Sequence, residues 1–161
     1  MRNLILISIL TFLIPNAFAT NSLSYKSMSI TDDEIAQAIR NPSPISVTDL
    51  IQDIQKKKNY QYLNYLDISE NNITSNGANT IFRFILNDLP NLKGLNLSNN
   101  HIRDLRGNEG YQEFEDNLVN LINREPFEIL DLRINAISNM NWISQLTPKV
   151  GNNHQKIRWN N

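Results

Sequence analysis

The chain has 161 residues, a length for one domain, and its 15 Lys and Arg nearly balance its 16 Asp and Glu, for a formal net charge of −1. So even a balance gives no reason to expect nucleic acid or an anionic membrane surface as partner, since both call for a basic face. Cysteine is absent, which rules out a disulfide, a thiolate zinc site and a cysteine nucleophile, and the two histidines, His101 and His154, stand far apart in sequence.

The first element is N-terminal. Met1-Arg2-Asn3 gives a short positive start, Leu4 to Ile14 is apolar apart from Ser8 and Thr11, Pro15 ends the run, and Ala17-Phe18-Ala19 supplies a small-x-small pattern. The apolar run is about half the ~20 residues that a membrane-spanning helix needs. We read residues 1–19 as a signal peptide cleaved after Ala19. The expected mature protein is exported across the inner membrane, is periplasmic or secreted, and has no membrane span.

Residues 20–30 read as a flexible leader. A helical N-terminal cap is expected over 31–58. Its first helix opens on a capping box (Thr31 with Glu34) and a hydrophobic staple (Ile30 with Ile35). A second short helix follows Pro44, with Val47, Leu50, Ile51 and Ile54 on one stripe. Lys56-Lys57-Lys58 and Asn59 form a polar turn, since three lysines are too few for a nucleic-acid footprint.

Residues 59–161 are organised by a repeat. Leu63-Asn64-Tyr65-Leu66-Asp67-Ile68-Ser69-Glu70-Asn71, Leu92-Lys93-Gly94-Leu95-Asn96-Leu97-Ser98-Asn99-Asn100 and Phe127-Glu128-Ile129-Leu130-Asp131-Leu132-Arg133-Ile134-Asn135 share one pattern. It is L-x-x-L-x-L-x-x-N, with an aliphatic residue (Ile73, Ile102, Ile137) two places after the Asn. The central leucines Leu66, Leu95 and Leu130 recur at spacings of 29 and 35. The chain holds 26 asparagines, so an isolated one carries no information; only Asn at a fixed period does. The period-two alternation x-L-x-L-x puts the leucines on one face of a short strand and the x residues on the other. Stacked in parallel, such strands bury the aliphatic face as a continuous core. The chain must then turn sharply, and an inward Asn, with both acceptor and donors, can satisfy the backbone groups inside the turn. Asn71, Asn100 and Asn135 are assigned to this structural ladder.

Between the strands the pattern is helical. Ile81, Phe82, Ile85 and Leu89 share a face that ends at Pro90, with Phe84 off it; Tyr111, Phe114, Leu118, Leu121 and Ile122 repeat the stripe before Glu125-Pro126. The extra six residues of the longer spacing fit best in Arg103–Gly110, read as a protruding loop. The third convex segment, Met140 to Leu146 before Pro148, should be short. Ile157 stands 27 residues after Leu130 and restarts the alternation with Trp159, which makes these two a candidate association edge.

These blocks resemble the leucine-rich-repeat family. The stretch Leu66-x-Ile68-x-x-Asn71-x-Ile73-x-x-x-Gly77-Ala78-x-x-Ile81 is similar to the ribonuclease-inhibitor-like subtype. The resemblance implies an α/β fold: a short right-handed leucine-rich-repeat solenoid of about three and a half repeats over 59–161. Parallel strands would line its concave face and helices its convex face, behind the N-terminal helical cap. It also implies a non-enzymatic module that binds a protein, a host protein among the candidates, with no cofactor and no metal. The candidate contact residues are the outward strand positions Tyr65, Asp67 and Ser69, then Asn96 and Ser98, then Ile129, Asp131 and Arg133. A structural, self-associating envelope protein, or a shortened repeat protein without a dissociable partner, is the alternative. A glycan-acting enzyme is a remoter one: Asp67 and Asp131 would lie roughly 10 Å apart across the face, close to an inverting carboxylate pair, but an open face offers no pocket to raise a carboxyl pKa.

Overall fold

The computed structural model describes residues 21–33, 44–103, 110–137 and 140–159. The expected signal peptide lies outside them, as do Glu34 and Ile35 of the expected helix start and all but the ends of the Arg103–Gly110 segment.

Five short strands form one parallel sheet in sequence order: β1 (Ser22–Ser24), β2 (Tyr65–Asp67), β3 (Gly94–Asn96), β4 (Ile129–Asp131) and β5 (Ile157–Arg158). The register aligns Leu23, Leu66, Leu95, Leu130 and Ile157 in one row across the sheet. Leu66, Leu95 and Leu130 are wholly buried, and the next inward positions, Tyr25, Ile68, Leu97 and Leu132, are buried beside them. Among the described residues four helices, α1 (Val47–Lys56), α2 (Ser75–Asp88), α3 (Tyr111–Asn123) and α4 (Met140–Val150), pack successively against one another. The architecture is α/β, with one sheet face against the core and the other turned outward.

The helices follow from local sequence. Ser46 caps α1, accepting from the Asp49 amide while Asp49 accepts from the Ser46 amide, and Val47, Leu50 and Ile54 bury one stripe. Thr74 caps α2. Phe84, which the stripe leaves outside, is buried. The reason is that α2 has a neighbour on each flank, α1 and α3, so its apolar arc is wider than a one-sided helix requires. Phe82 meets Phe114 of α3 with ring centroids 5.6 Å apart. α4 runs two residues past Pro148, longer than the sequence suggests. A proline in the last turn removes one N–H bond only, and the chain leaves the helix at Gly151, where φ is +55°.

The leader is corrected outright. Residues 22–24 are not loose but form the sheet's first strand, followed by the buried Tyr25 and Ile30. Ser22-Leu23-Ser24-Tyr25-Lys26-Ser27-Met28-Ser29-Ile30 is a repeat in register with Tyr65 to Ile73. It carries Met28 where the later repeats carry Asn.

Candidate functional site

The turn that ends each strand is held by an asparagine belonging to the following repeat as much as to its own. The Asn71 amide donates to Ile68 O and Ser69 O in its own turn and to Tyr25 O in the preceding one, while its Oδ1 accepts from Met28 N and Ile30 N. Asn100 donates to Leu97 O and Ser98 O, reaches back to Ile68 O, and accepts from Ile73 N. Asn135 does the same with Leu132 O, Arg133 O, Leu97 O and Ile102 N. All three side chains are buried, and each of these bonds goes to backbone. The first described repeat has no described predecessor to bind, and Met28 stands in it without such a role.

The same turns fix one residue in the left-handed region: Ser27, Glu70, Asn99 and Ile134 have φ between +53° and +58°. Asn tolerates this conformation; a β-branched Ile does not. Ile134 is also 65% exposed, the most exposed large apolar side chain among the described residues.

The outward strand positions form three rows. In the first, Ser22, Tyr65, Gly94 and Ile129 are in register. Tyr65 and Ile129 lean together over Gly94, where an added Cβ would sit 2.6 Å from the Tyr65 ring and 2.9 Å from Ile129. Glycine is therefore required by this close approach. In the second row, Ser24, Asp67, Asn96, Asp131 and Arg158 align. Asp67, Asn96 and Asp131 each accept from the backbone N–H two residues on, at Ser69, Ser98 and Arg133, with distances of 3.0, 3.0 and 3.1 Å. Their repeated Asp or Asn is thus a turn-former first and a contact residue second.

Two of the expected contact residues are not accessible. Ser69 is 3% exposed and Asp131 5%. Asp131 is covered because Arg133 folds back on it, with Nε 3.0 Å from Oδ1 and Nη2 2.6 Å from Oδ2. Tyr65, Ile129, Asn96, Ser98, Asp67 and Arg133 all keep exposed surface on this face. Ile157, the first residue of β5, is buried in the core, and Trp159 packs partly buried against it.

The electrostatics follow the geometry. Burial works to raise the Asp131 pKa, but hydrogen bonds from the Arg133 side chain and backbone, with the charges of Arg133 and Arg158, outweigh it and hold the carboxyl below its usual range. A carboxyl held ionised in this way is unsuited to act as the proton donor of a glycosidase pair. The Tyr65 hydroxyl is pushed up by burial first and by Asp67 and Asp131 next, with Arg158 and Asn96 opposing.

Arg158 is the member of this face that the sequence reading passed over. Its register with Asp131 follows from the Ile157 alternation. Its Nη1 lies 3.8 Å from Asp131 Oδ2. Away from this face, a cleft of about 190 Å³ lies beside Asn21, Lys57, Lys58 and Tyr60, below the ~300 Å³ usual for a small-molecule site. Among the described residues no group of three or more His, Asp or Glu is placed to hold a metal ion, and no helix is long and apolar enough to cross a membrane.

A family model described as a Leucine Rich repeat matches residues 61–82, which span β2, the Asn71 turn and the first half of α2. No curated protein and no solved structure shows a significant match. The chain carries a leucine-rich repeat, a unit typically found as a non-enzymatic scaffold and one that suggests an interaction with protein.

Proposed function

We propose that the chain is an exported leucine-rich-repeat module that binds a protein partner through the outward face of its strands. The observation that carries this reading is the division of labour along each strand. Leucines and the Asn ladder use every inward group for the fold, while Tyr65, Asn96, Ser98, Ile129 and Arg133 stand on a rigid face that the core does not need. Tyr and Arg are the residue types that anchor protein interfaces. The 29-residue spacing and a helix after each of β2, β3 and β4 favour the ribonuclease-inhibitor-like subtype, hence a right-handed solenoid with this face concave. Export rests on the sequence of residues 1–19 alone, and the capping role of 31–58 on its helical patterning and its position before β2.

The test is affinity capture with three baits: the mature chain, the variant Tyr65→Ala with Ile129→Ser, and a variant of the helical side, Arg83→Ala. A partner retained by the first and third baits and lost by the second supports the reading. A partner lost only with Arg83→Ala, or lost with neither variant, overturns it.

A further inference from the structure

The first turn of α2 holds a dipeptide whose chemistry the fold restrains. Asn76-Gly77 is the single Asn-Gly pair of the sequence. Asparagine followed by glycine is the pairing most prone to modify itself, because no Cβ shields the amide that attacks. The Gly nitrogen adds to Cγ of the Asn side chain and a C–N bond forms. The Cγ–NH2 bond breaks, ammonia carries off the amide proton, and a five-membered succinimide remains. Water then opens that ring on either side, to aspartate or to isoaspartate. Water is the only co-reactant.

Three observations put this reaction under structural control. Glycine is obligatory at 77, since an added Cβ would collide with the Asp32 carboxylate, so packing itself preserves the reactive pair. Asn76 is exposed, which gives water access to its side chain. The attacking nitrogen, however, is occupied. Gly77 lies in the first turn of α2, where an amide has no acceptor within the helix, and it donates to Asp32 Oδ2 at 3.1 Å. The same carboxylate, 3% exposed, accepts from Thr74 N at 2.9 Å and from the Thr74 hydroxyl. Thr74 Oγ1 accepts in turn from Asn76 N at 3.3 Å. Helical backbone at Asn76 also turns the Gly77 nitrogen away from Cγ, so attack requires the residue to leave the helical ψ.

We propose that Asn76-Gly77 is a self-modification site latched by Asp32, and that it converts to isoaspartate through local opening of the first turn of α2. Opening breaks the Asp32 bonds, frees the Gly77 nitrogen and lets the Asn76 backbone rotate. Asp32 belongs to the repeat of β1, so the latch is also a junction between repeats. Conversion is not silent. Isoaspartate lengthens the main chain by a methylene and sets a second carboxylate near Asp32, so the turn cannot close again on its latch. Ser75 loses its place with it. Its hydroxyl accepts from Arg103 N at 2.9 Å and donates to Arg103 O at 2.7 Å, which fastens α2 to the following repeat. One slow chemical step therefore loosens α2 from the repeats on both sides. This property is independent of partner binding.

Peptide mass spectrometry of the purified chain, incubated at mildly alkaline pH, tests it by following the mass gain of an amide turned carboxyl. In concentrated urea Asn76 should be the first asparagine to convert. In the folded chain its conversion should be on the order of a hundredfold slower, the cost of opening two charge-assisted hydrogen bonds. Asp32→Asn keeps the shape of the side chain but removes its charge, and should speed conversion in the folded chain roughly tenfold. Asn76→Ser should abolish the mass gain in that peptide and lengthen the life of the folded chain. A melt checks that Asp32→Asn folds; where it does not, the urea dependence of the native chain decides. Conversion by local opening is nearly flat in urea below the unfolding transition, whereas conversion through global unfolding rises as steeply as the unfolding constant. Equal rates in the folded and unfolded chain, another asparagine converting first in urea, folded Asp32→Asn converting at the native rate, or a urea dependence that matches global unfolding would each overturn the proposal.

Discussion

Replacing Asn100 by alanine removes one acceptor oxygen and one NH2 group, which reaches three carbonyls, from the space between two repeats. Its consequences differ from bond to bond. Ile68 O keeps a bond from Asn71, Leu97 O one from Asn135, and Ser98 O one from Glu70 N. Ile73 N, by contrast, has Asn100 Oδ1 as its one partner among the described residues, and Ile73 is wholly buried. An orphaned buried amide costs about 1–3 kcal/mol, and each lost donation to a carbonyl that keeps another partner about 0.5 kcal/mol or less, for a total of about 2–4 kcal/mol. At about 3 °C per kcal/mol for a domain of this size, the melting temperature should fall by about 6–12 °C. The neighbouring Asn99 gives the control. It is exposed but sits at φ +53°, so Asn99→Ala should cost about 1 kcal/mol, for placing a Cβ without a local hydrogen bond in the left-handed region, while Asn99→Gly should be nearly neutral. Urea denaturation followed by circular dichroism measures all three, and hydrogen exchange should show the Ile73 amide losing protection in Asn100→Ala alone. If Asn100→Ala and Asn99→Gly differ by less than ~0.5 kcal/mol, the ladder is not what holds the repeats in register.

Gly77→Ala should destabilise by about 2 kcal/mol or more, because the new Cβ would lie 2.3 Å from the Asp32 carboxylate that accepts from Thr74 N and Gly77 N at the start of α2; a thermal melt unchanged by the substitution would contradict that contact. Tyr25 donates to Asp53 at 2.7 Å, and burial first, then Asp53, push its hydroxyl far above the ordinary value near 10. A raised folded-state pKa stabilises fully below the unfolded value and progressively less as pH rises past it. Urea melts at pH 8 and near pH 11 should therefore show a larger loss for the native chain than for Tyr25→Phe, and equal losses would refute the linkage. Leu6→Arg with Leu10→Arg should leave an unprocessed precursor in the cytoplasm, visible on a gel; cleavage after Ala19 in that variant would overturn the export proposal.

The sequence by itself determined what is periodic. Leu66, Leu95 and Leu130 recur with Asn71, Asn100 and Asn135 five residues on, and a repeat of identical function at identical spacing survives without any knowledge of contacts. The helical stripes were legible for the same reason, since one face of each helix meets the core. Tertiary structure alone decided what breaks the period or depends on a neighbour. β1 was hidden because its repeat carries Met28 where the others carry Asn, so the periodic signal is missing there although Asn71 of the next repeat bonds its turn. Ser69 and Asp131 occupy outward strand positions by alternation, yet are buried, the latter because Arg133 folds over it. Arg158 joins the face, and Ile134 is strained, only once the register of β5 and the backbone angle of the turn are known. Alternation gives the side of the sheet on which a residue lies; how much of that side stays open depends on which neighbouring side chains lie down across it.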